Sequence, residues 1–245
     1  MSDDKRTVLR VSGPQATEFL QGLVTNDVVR LKDGLVYAAL LTPQGKYMAD
    51  FFLVPDGDDV LVDLPEALGD SVAQRLAMYK LRAPVTISPT EIVVTRGTGP
   101  MPEGAFADPR HPSLGWRGYA GQPGQDADWD ALRVAACVPE AGVELTPDTF
   151  ILEAGFERLH GVDFRKGCYV GQEVTARMKH KTELRKGLAV VEVDGTAPVG
   201  TEIMAGDKPA GTLYTQSGGR GIAYLRFDRA GDEMTAGDAR VRWAG

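Results

Sequence analysis

Apolar and polar residues alternate from Thr7 to Ser12, and apolar residues then recur at helical spacing as Ala16, Phe19, Leu20 and Leu23 behind Gly13-Pro14. A strand feeding a helix is expected there. Val36 to Leu41 and Tyr47 to Val54 are apolar runs separated by Thr42-Pro43-Gln44-Gly45-Lys46, the pattern of a hairpin closed by a glycine-containing loop. A further strand is expected over Val60 to Asp63. From Pro65 a helix is expected, with Leu68, Val72, Leu76 and Tyr79 on its apolar face, and strand character resumes at Val85–Ile87 and Ile92–Thr95. Strands and helices alternate without a strict βαβ rhythm. That favours an α+β fold with mainly antiparallel sheets.

Between Gly97 and Gly124 the chain is crowded with Gly, Pro and short polar residues, the composition of a surface connection joining two subdomains. Asp126 or Asp128 can cap a helix from Trp129 to about Cys137, with Leu132, Ala135 and Ala136 facing inward and Cys137 as packing. From Gly187 to Gly245 only short alternating runs lie between turn residues, which reads as a small β-barrel or sandwich. The expected division is therefore an α+β region over 1–185 and a C-terminal β-barrel over 186–245.

Composition narrows the function classes. A chain of 245 residues is long enough for two or three compact units. No stretch approaches the roughly 18 apolar residues that span a bilayer, so no membrane partner is expected. The opening MSDDKRTVLRV lacks the apolar run of a secretory signal, which makes the cytoplasm the expected location. Cys137 and Cys168 then read as reduced thiols. Together with His111, His160 and His180 they show no metal-cage spacing, and no metal is expected. A net charge of −7 argues against direct nucleic-acid binding. Even so, Arg165, Lys166, Arg177, Lys179, Lys181, Arg185 and Lys186 crowd into one stretch, opposed only by Glu173 and Glu183. Such a stretch is either a solvated face or an anion-binding one.

Inside it lies Lys166-Gly167-Cys168-Tyr169-Val170-Gly171-Gln172-Glu173, continued by Val174-Thr175-Ala176-Arg177. Glycines allow close approach of another molecule, and Lys166 and Arg165, if close in space, favour a thiolate at Cys168. A packed turn cysteine is the alternative. The segment resembles the signature of the YgfZ family, K-G-C-aromatic-x-G-Q-E followed by Arg, which Lys166, Gly167, Cys168, Tyr169, Gly171, Gln172, Glu173 and Arg177 all match. The resemblance extends to residues 16–28, to LeuThrProGlnGlyLysTyrMetAlaAspPhe at 41–51, and to the barrel-like tail.

The resemblance implies a three-lobed arrangement around a central channel, shared with the glycine-cleavage aminomethyltransferase (GcvT, the T-protein), in which tetrahydrofolate or a derivative is bound. Ile151-Leu152-Glu153-Ala154-Gly155 resembles the T-protein segment whose glutamate holds the pterin, so Glu153 is the implied ligand. Asn26 and Asp27 match an Asn-Asp pair near the folate channel, and Thr-Asn-Asp is equally a good turn. Arg177, Lys179 and Lys181 are candidates for the anionic tail of folate. Where the T-protein carries its reactive aspartate this sequence has Ala49, and Asp50, one residue on, belongs to the opposite strand face. The resemblance therefore implies a folate-binding protein without efficient aminomethyl transfer, with Cys168 as a candidate reactive thiol. It further implies a role in assembling or repairing iron–sulfur clusters in client enzymes, including those that modify transfer RNA, with client or assembly proteins as partners. A folate-dependent one-carbon transferase and a thiol oxidoreductase are the alternatives. The latter usually needs a resolving cysteine, and Cys137 is distant in sequence.

Overall fold

The computed structural model describes residues 5–180 and 184–245. The chain folds as two compact units. The first holds the chain up to Ala127 with Glu157–Val174, and the second holds Asp128–Phe156 with Thr175–Gly245.

In the first unit, strand β1 (Arg6–Ser12) is followed by helix α1 (Ala16–Gln21), the hairpin β2 (Val36–Leu41) and β3 (Tyr47–Asp56), and β4 (Asp59–Pro65). Helix α2 (Gly69–Lys80) begins four residues later than Pro65 because a 3₁₀ turn, Glu66–Leu68, intervenes, and β5 (Thr86–Pro89) follows. The sheet is antiparallel throughout, in the order β2-β3-β4-β1-β5. Alternation along its strands sorts side chains to two faces. Leu9, Val11, Val36, Ala38, Leu40, Ala49, Phe51, Leu53, Val60 and Val62 join α1 and α2 residues in one apolar core.

The other face mixes buried apolar side chains such as Tyr37, Phe52, Val54 and Leu61 with buried charges. Asp63 is wholly buried there and accepts from Arg6 Nε at 2.6 Å, Arg117 Nη2 at 3.0 Å and the Tyr119 hydroxyl at 2.8 Å. Phe52 lies beneath the guanidiniums of Arg117 and Arg110, 4.2 and 4.7 Å from its ring centre. These partners correct the reading of 97–124 as a surface connection. The segment folds into a small antiparallel sheet, β6 (Thr95–Gly97), β7 (Phe106–Ala107) and β8 (Trp116–Gly118), in the order β6-β8-β7. Its glycines serve tight turns, as at Gly115 with φ +66°, while Asp108, Leu114, Trp116, Arg117 and Gln122 are among its buried residues. The expected strand at Ile92–Thr95 starts only at Thr95.

In the second unit, helix α3 (Trp129–Ala136) is capped by Asp128, whose side chain accepts from Ala131 N at 2.9 Å. Its inward face differs from expectation: Arg133, Val134, Ala136 and Cys137 are buried, whereas Ala135 is exposed. Arg133 tolerates burial because it donates to Val138 O, Thr215 Oγ1 and Glu144. Cys137 packs with Val134 and Ile222, as a structural cysteine does. Helix α4 (Gln172–His180), whose first three residues belong to the first unit, precedes the strands β9 (Lys186–Asp194), β10 (Thr201–Ala205), β11 (Lys208–Ser217), β12 (Arg220–Arg226), β13 (Met234–Ala236) and β14 (Ala239–Arg242). They form a closed barrel in the order β10-β11-β12-β9-β14-β13 around Val191, Ile203, Leu213, Leu225 and Val241. The barrel strands start at Lys186, beside the expected boundary, but residues 128–156 group with them because α3 packs on β11 and β12. No helix among the described residues is long and apolar enough to cross a membrane.

Candidate functional site

The loop bearing the Lys166–Glu173 motif is tied down on both sides of its cysteine. Before it, Asp163 accepts from the backbone N–H groups of Arg165 (2.7 Å) and Lys166 (3.2 Å) while its other oxygen takes Arg30 at 2.6 Å. Lys166 is buried, and its ammonium donates to three main-chain carbonyls, Gln21 at 2.8 Å, Val24 at 2.6 Å and Asn26 at 2.9 Å. Gln21 ends α1, so its carbonyl lacks a helical partner and the lysine supplies one. Burial pushes the Lys166 amine down to about 8 against the opposing pull of Asp27 and Asp163. All three of its N–H donors are thus taken up by main-chain carbonyls and none is directed to the thiol as a hydrogen-bond donor.

After the cysteine, Tyr169 is buried with its ring centre 5.2 Å from Lys166 Nζ. Gly171 sits at φ +83°, and a Cβ there would lie 2.6 Å from Thr42 O in the β2–β3 loop. Val170 packs on the core, and Gln172 and Glu173 open α4. Gly167 and Cys168 are exposed between these anchors. Of the motif's remaining residue, Arg177 is exposed on α4, as is Lys179, whereas Lys181 lies outside the described residues.

Asn26 is a fastener. Its amide donates to Tyr37 O at 2.8 Å and His160 O at 2.6 Å, and its Oδ1 accepts from Asp27 N at 2.9 Å. Both amide hydrogens are engaged within the chain, which is the turn-forming role that Thr-Asn-Asp also offers. Asp27 caps the 3₁₀ turn Val28–Asp33 through Val29 N. Ala49 is fully buried in the apolar core, and Asp50 turns to the opposite face, where the hydroxyls of Tyr37 (2.9 Å) and Tyr47 (2.7 Å) donate to it. Burial first, and then the Asp50 charge, raise both phenols well above the ordinary tyrosine value, so they remain donors.

In the second unit a cavity of about 210 Å³ is lined by Glu144, Thr146, Thr149, Glu153, Tyr214 and Tyr224, among others. Glu153 is half-buried in the run of turns after Phe150, and its Oε2 accepts from the Tyr224 hydroxyl at 2.7 Å. Burial, followed by that hydrogen bond, raises the Tyr224 phenol. The main chain fixes the glutamate too: Leu188 N donates to Glu153 O at 2.7 Å, and a Cβ on Gly187 would come within 2.9 Å of that oxygen. Glu144 is fully engaged, by Thr215 Oγ1 at 2.6 Å, Glu140 N at 2.9 Å and Arg133 at 3.4 Å. The β11–β12 register shifts between Leu213 and Gln216, and the intervening Thr215 and Tyr214 meet Glu144 and the cavity. Sequence reasoning missed Arg133, Glu144, Tyr214 and Tyr224. Only the Gly187 break between domains lay near them. No group of three or more His, Cys, Asp or Glu side chains among the described residues is placed to hold a metal ion.

Residues 185–244 match the family described as CAF17, C-terminal beta-barrel domain. A crystal structure of glycine cleavage system aminomethyltransferase T from Bartonella henselae superposes with a TM-score of 0.76 over 96% of this chain and 81% of that one. At 14% identity it shows a shared fold. The chain is 30% identical to the mitochondrial iron-sulfur cluster assembly factor IBA57 of Mus musculus over 92% of its own length and 76% of the relative's. For the Homo sapiens protein the figures are 31%, 91% and 76%. The Mycosarcoma maydis homolog is 31% identical over 79% of this chain, which spans only 57% of that protein. All three relatives are named mitochondrial, and this overturns the expected cytoplasmic location. On this similarity and coverage, the chain belongs to the family of the iron-sulfur cluster assembly factor IBA57.

Proposed function

We propose that this protein supports the assembly or repair of iron–sulfur clusters in other proteins, presenting Cys168 as a reactive thiol to a cluster, a persulfide or an oxidised partner. The observation that carries the reading is the exposed Cys168 at the tip of a loop anchored on both sides. An exposed thiol on an ordered loop can meet a partner's reacting atom with little reorganisation. Client or assembly proteins are the partners this requires.

The second element of the proposal is reduced folate beside Glu153. A pterin presents an amino group and a ring N–H along one edge, and a carboxylate accepts such a fork. Glu153 Oε2 already takes Tyr224, and a carboxylate has about four acceptor sites, which leaves room for both donors. The tyrosines and Leu188 supply flat apolar walls. At about 210 Å³ the cavity is smaller than the roughly 300 Å³ where drug-sized sites begin, so it suits the pterin head alone. Its carboxylates disfavour the anionic tail, for which Arg177 and Lys179 on α4 are the partners we assign. In this reading the ligand supplies order to the residues around it and no one-carbon unit. Ala49 offers no carboxylate for aminomethyl transfer, and Asp50 is held by two tyrosines on the other face.

Calorimetric titration with tetrahydrofolate in reducing buffer tests this element. Saturable binding is expected, weakened by about 1–3 kcal/mol in Glu153→Ala, the scale of a hydrogen bond to a charged group. Absence of binding by the wild type removes folate from the proposal.

A further inference from the structure

Lys166 is the one buried amine in the anchored loop, and nothing in the proposed thiol chemistry uses it. Its three hydrogen bonds, 2.6 to 2.9 Å long, join a residue two positions before Cys168 to the end of α1 and the turn that follows, more than 130 residues earlier in the chain. Losing them leaves three buried or partly buried carbonyls without that donor and loosens the loop on that side, where only the Asp163 bonds to the backbone of Arg165 and Lys166 remain, while Gly171 still packs the other side against Thr42. We propose that Lys166 is a positioning residue whose ammonium, bound to the carbonyls of Gln21, Val24 and Asn26, holds the Gly167-Cys168 tip in the place where a partner meets it. The inference rests on the reading that Cys168 is the working thiol.

Asp163 completes the anchor. It organises the backbone of Arg165 and Lys166 and is itself fixed by Arg30. A positioning role differs from an electrostatic one. If Lys166 acts through geometry, removing its charge leaves the chemistry of the free thiol unchanged and alters only how the tip is presented.

Three readouts on Lys166→Met separate these roles. Cleavage by an arginine-specific protease after the exposed Arg165 is expected to accelerate at least about tenfold, because a loosened tip is a better protease substrate. The pH midpoint for alkylation of Cys168 by iodoacetamide, located by mass spectrometry, is expected to stay where it is in the wild type. The concentration of protein that half-maximally restores an apo-[4Fe–4S] enzyme, supplied with ferrous iron, a persulfide donor and a dithiol reductant that brings the sulfane sulfur to sulfide, is expected to rise about tenfold with the maximum retained. A raised alkylation midpoint overturns positioning in favour of an electrostatic role. Unchanged cleavage at Arg165 overturns the proposal outright. Lys166→Gln, which keeps an N–H donor, is expected to recover part of the loss, and it carries the same readouts if Lys166→Met does not fold. Full activity of Cys168→Ser refutes the thiol reading instead, and the Arg165 cleavage then still decides whether Lys166 fixes the tip.

Discussion

Asp63→Ala lowers the unfolding free energy by about 3–5 kcal/mol, the cost of leaving buried charges without their counter-ion. The carboxylate is completely enclosed, and its loss strands Arg117, itself only 5% exposed, together with Arg6 and the Tyr119 hydroxyl. Denaturant unfolding followed by circular dichroism measures the loss, and a change under about 1 kcal/mol contradicts it. The same cluster sets an acid limit. Burial pushes the Asp63 carboxyl up, but Arg6 and Arg117 outweigh it and hold it below the ordinary value, and Arg110 and Arg117 do the same for Asp108. Groups whose folded pKa is depressed contribute stability above the unfolded value of about 4 and lose it as pH falls through the folded one. The wild-type unfolding midpoint is therefore expected to drop below about pH 4, with a shallower drop in Asp63→Ala.

Cys168→Ala reduces restoration of an apo-[4Fe–4S] enzyme to the rate seen without the protein, while the thermal midpoint stays close to the wild-type value. The two outcomes go together because the side chain is exposed and fills no core space. Surface substitutions away from caps, cavities and networks usually fall within about 0.5 kcal/mol of neutral. Cys137→Ala is the internal contrast. It removes a buried contact with Val134 and Ile222 and is expected to lower stability without removing activity. Undiminished restoration by Cys168→Ala eliminates the thiol from the mechanism.

Period and turn chemistry exposed much of this architecture. The β2–β3 hairpin, β4, the Asp128 cap and the barrel strands follow from apolar alternation and turn residues, and the alternation also separated Ala49 from Asp50. Residues 97–124 escaped because Leu114 and Trp116 are isolated apolar positions among buried polar or charged ones, Asp108, Arg117 and Gln122, so no period shows. Asp108 and Arg117 look solvent-exposed until their partners are known. For the same reason Arg133 was not read as an inward residue of α3, since its partners Glu144 and Thr215 are 11 and 82 positions away. Lys166 shows the limit within the motif itself. Sequence adjacency suggested a neighbour for the thiol, but a four-carbon stem can carry the ammonium to acceptors 140 to 145 residues earlier. Glu153 was found through resemblance, yet its companions Tyr214 and Tyr224 come from barrel strands, one of them at a register shift that a period of two does not reveal.

Restoration of an apo-[4Fe–4S] enzyme by the wild-type protein, with ferrous iron, a persulfide donor and a dithiol reductant, in the presence and absence of tetrahydrofolate, tests the account most directly. The account predicts faster restoration with the protein than without it, and a further increase when tetrahydrofolate is added. A rate indifferent to the protein contradicts it.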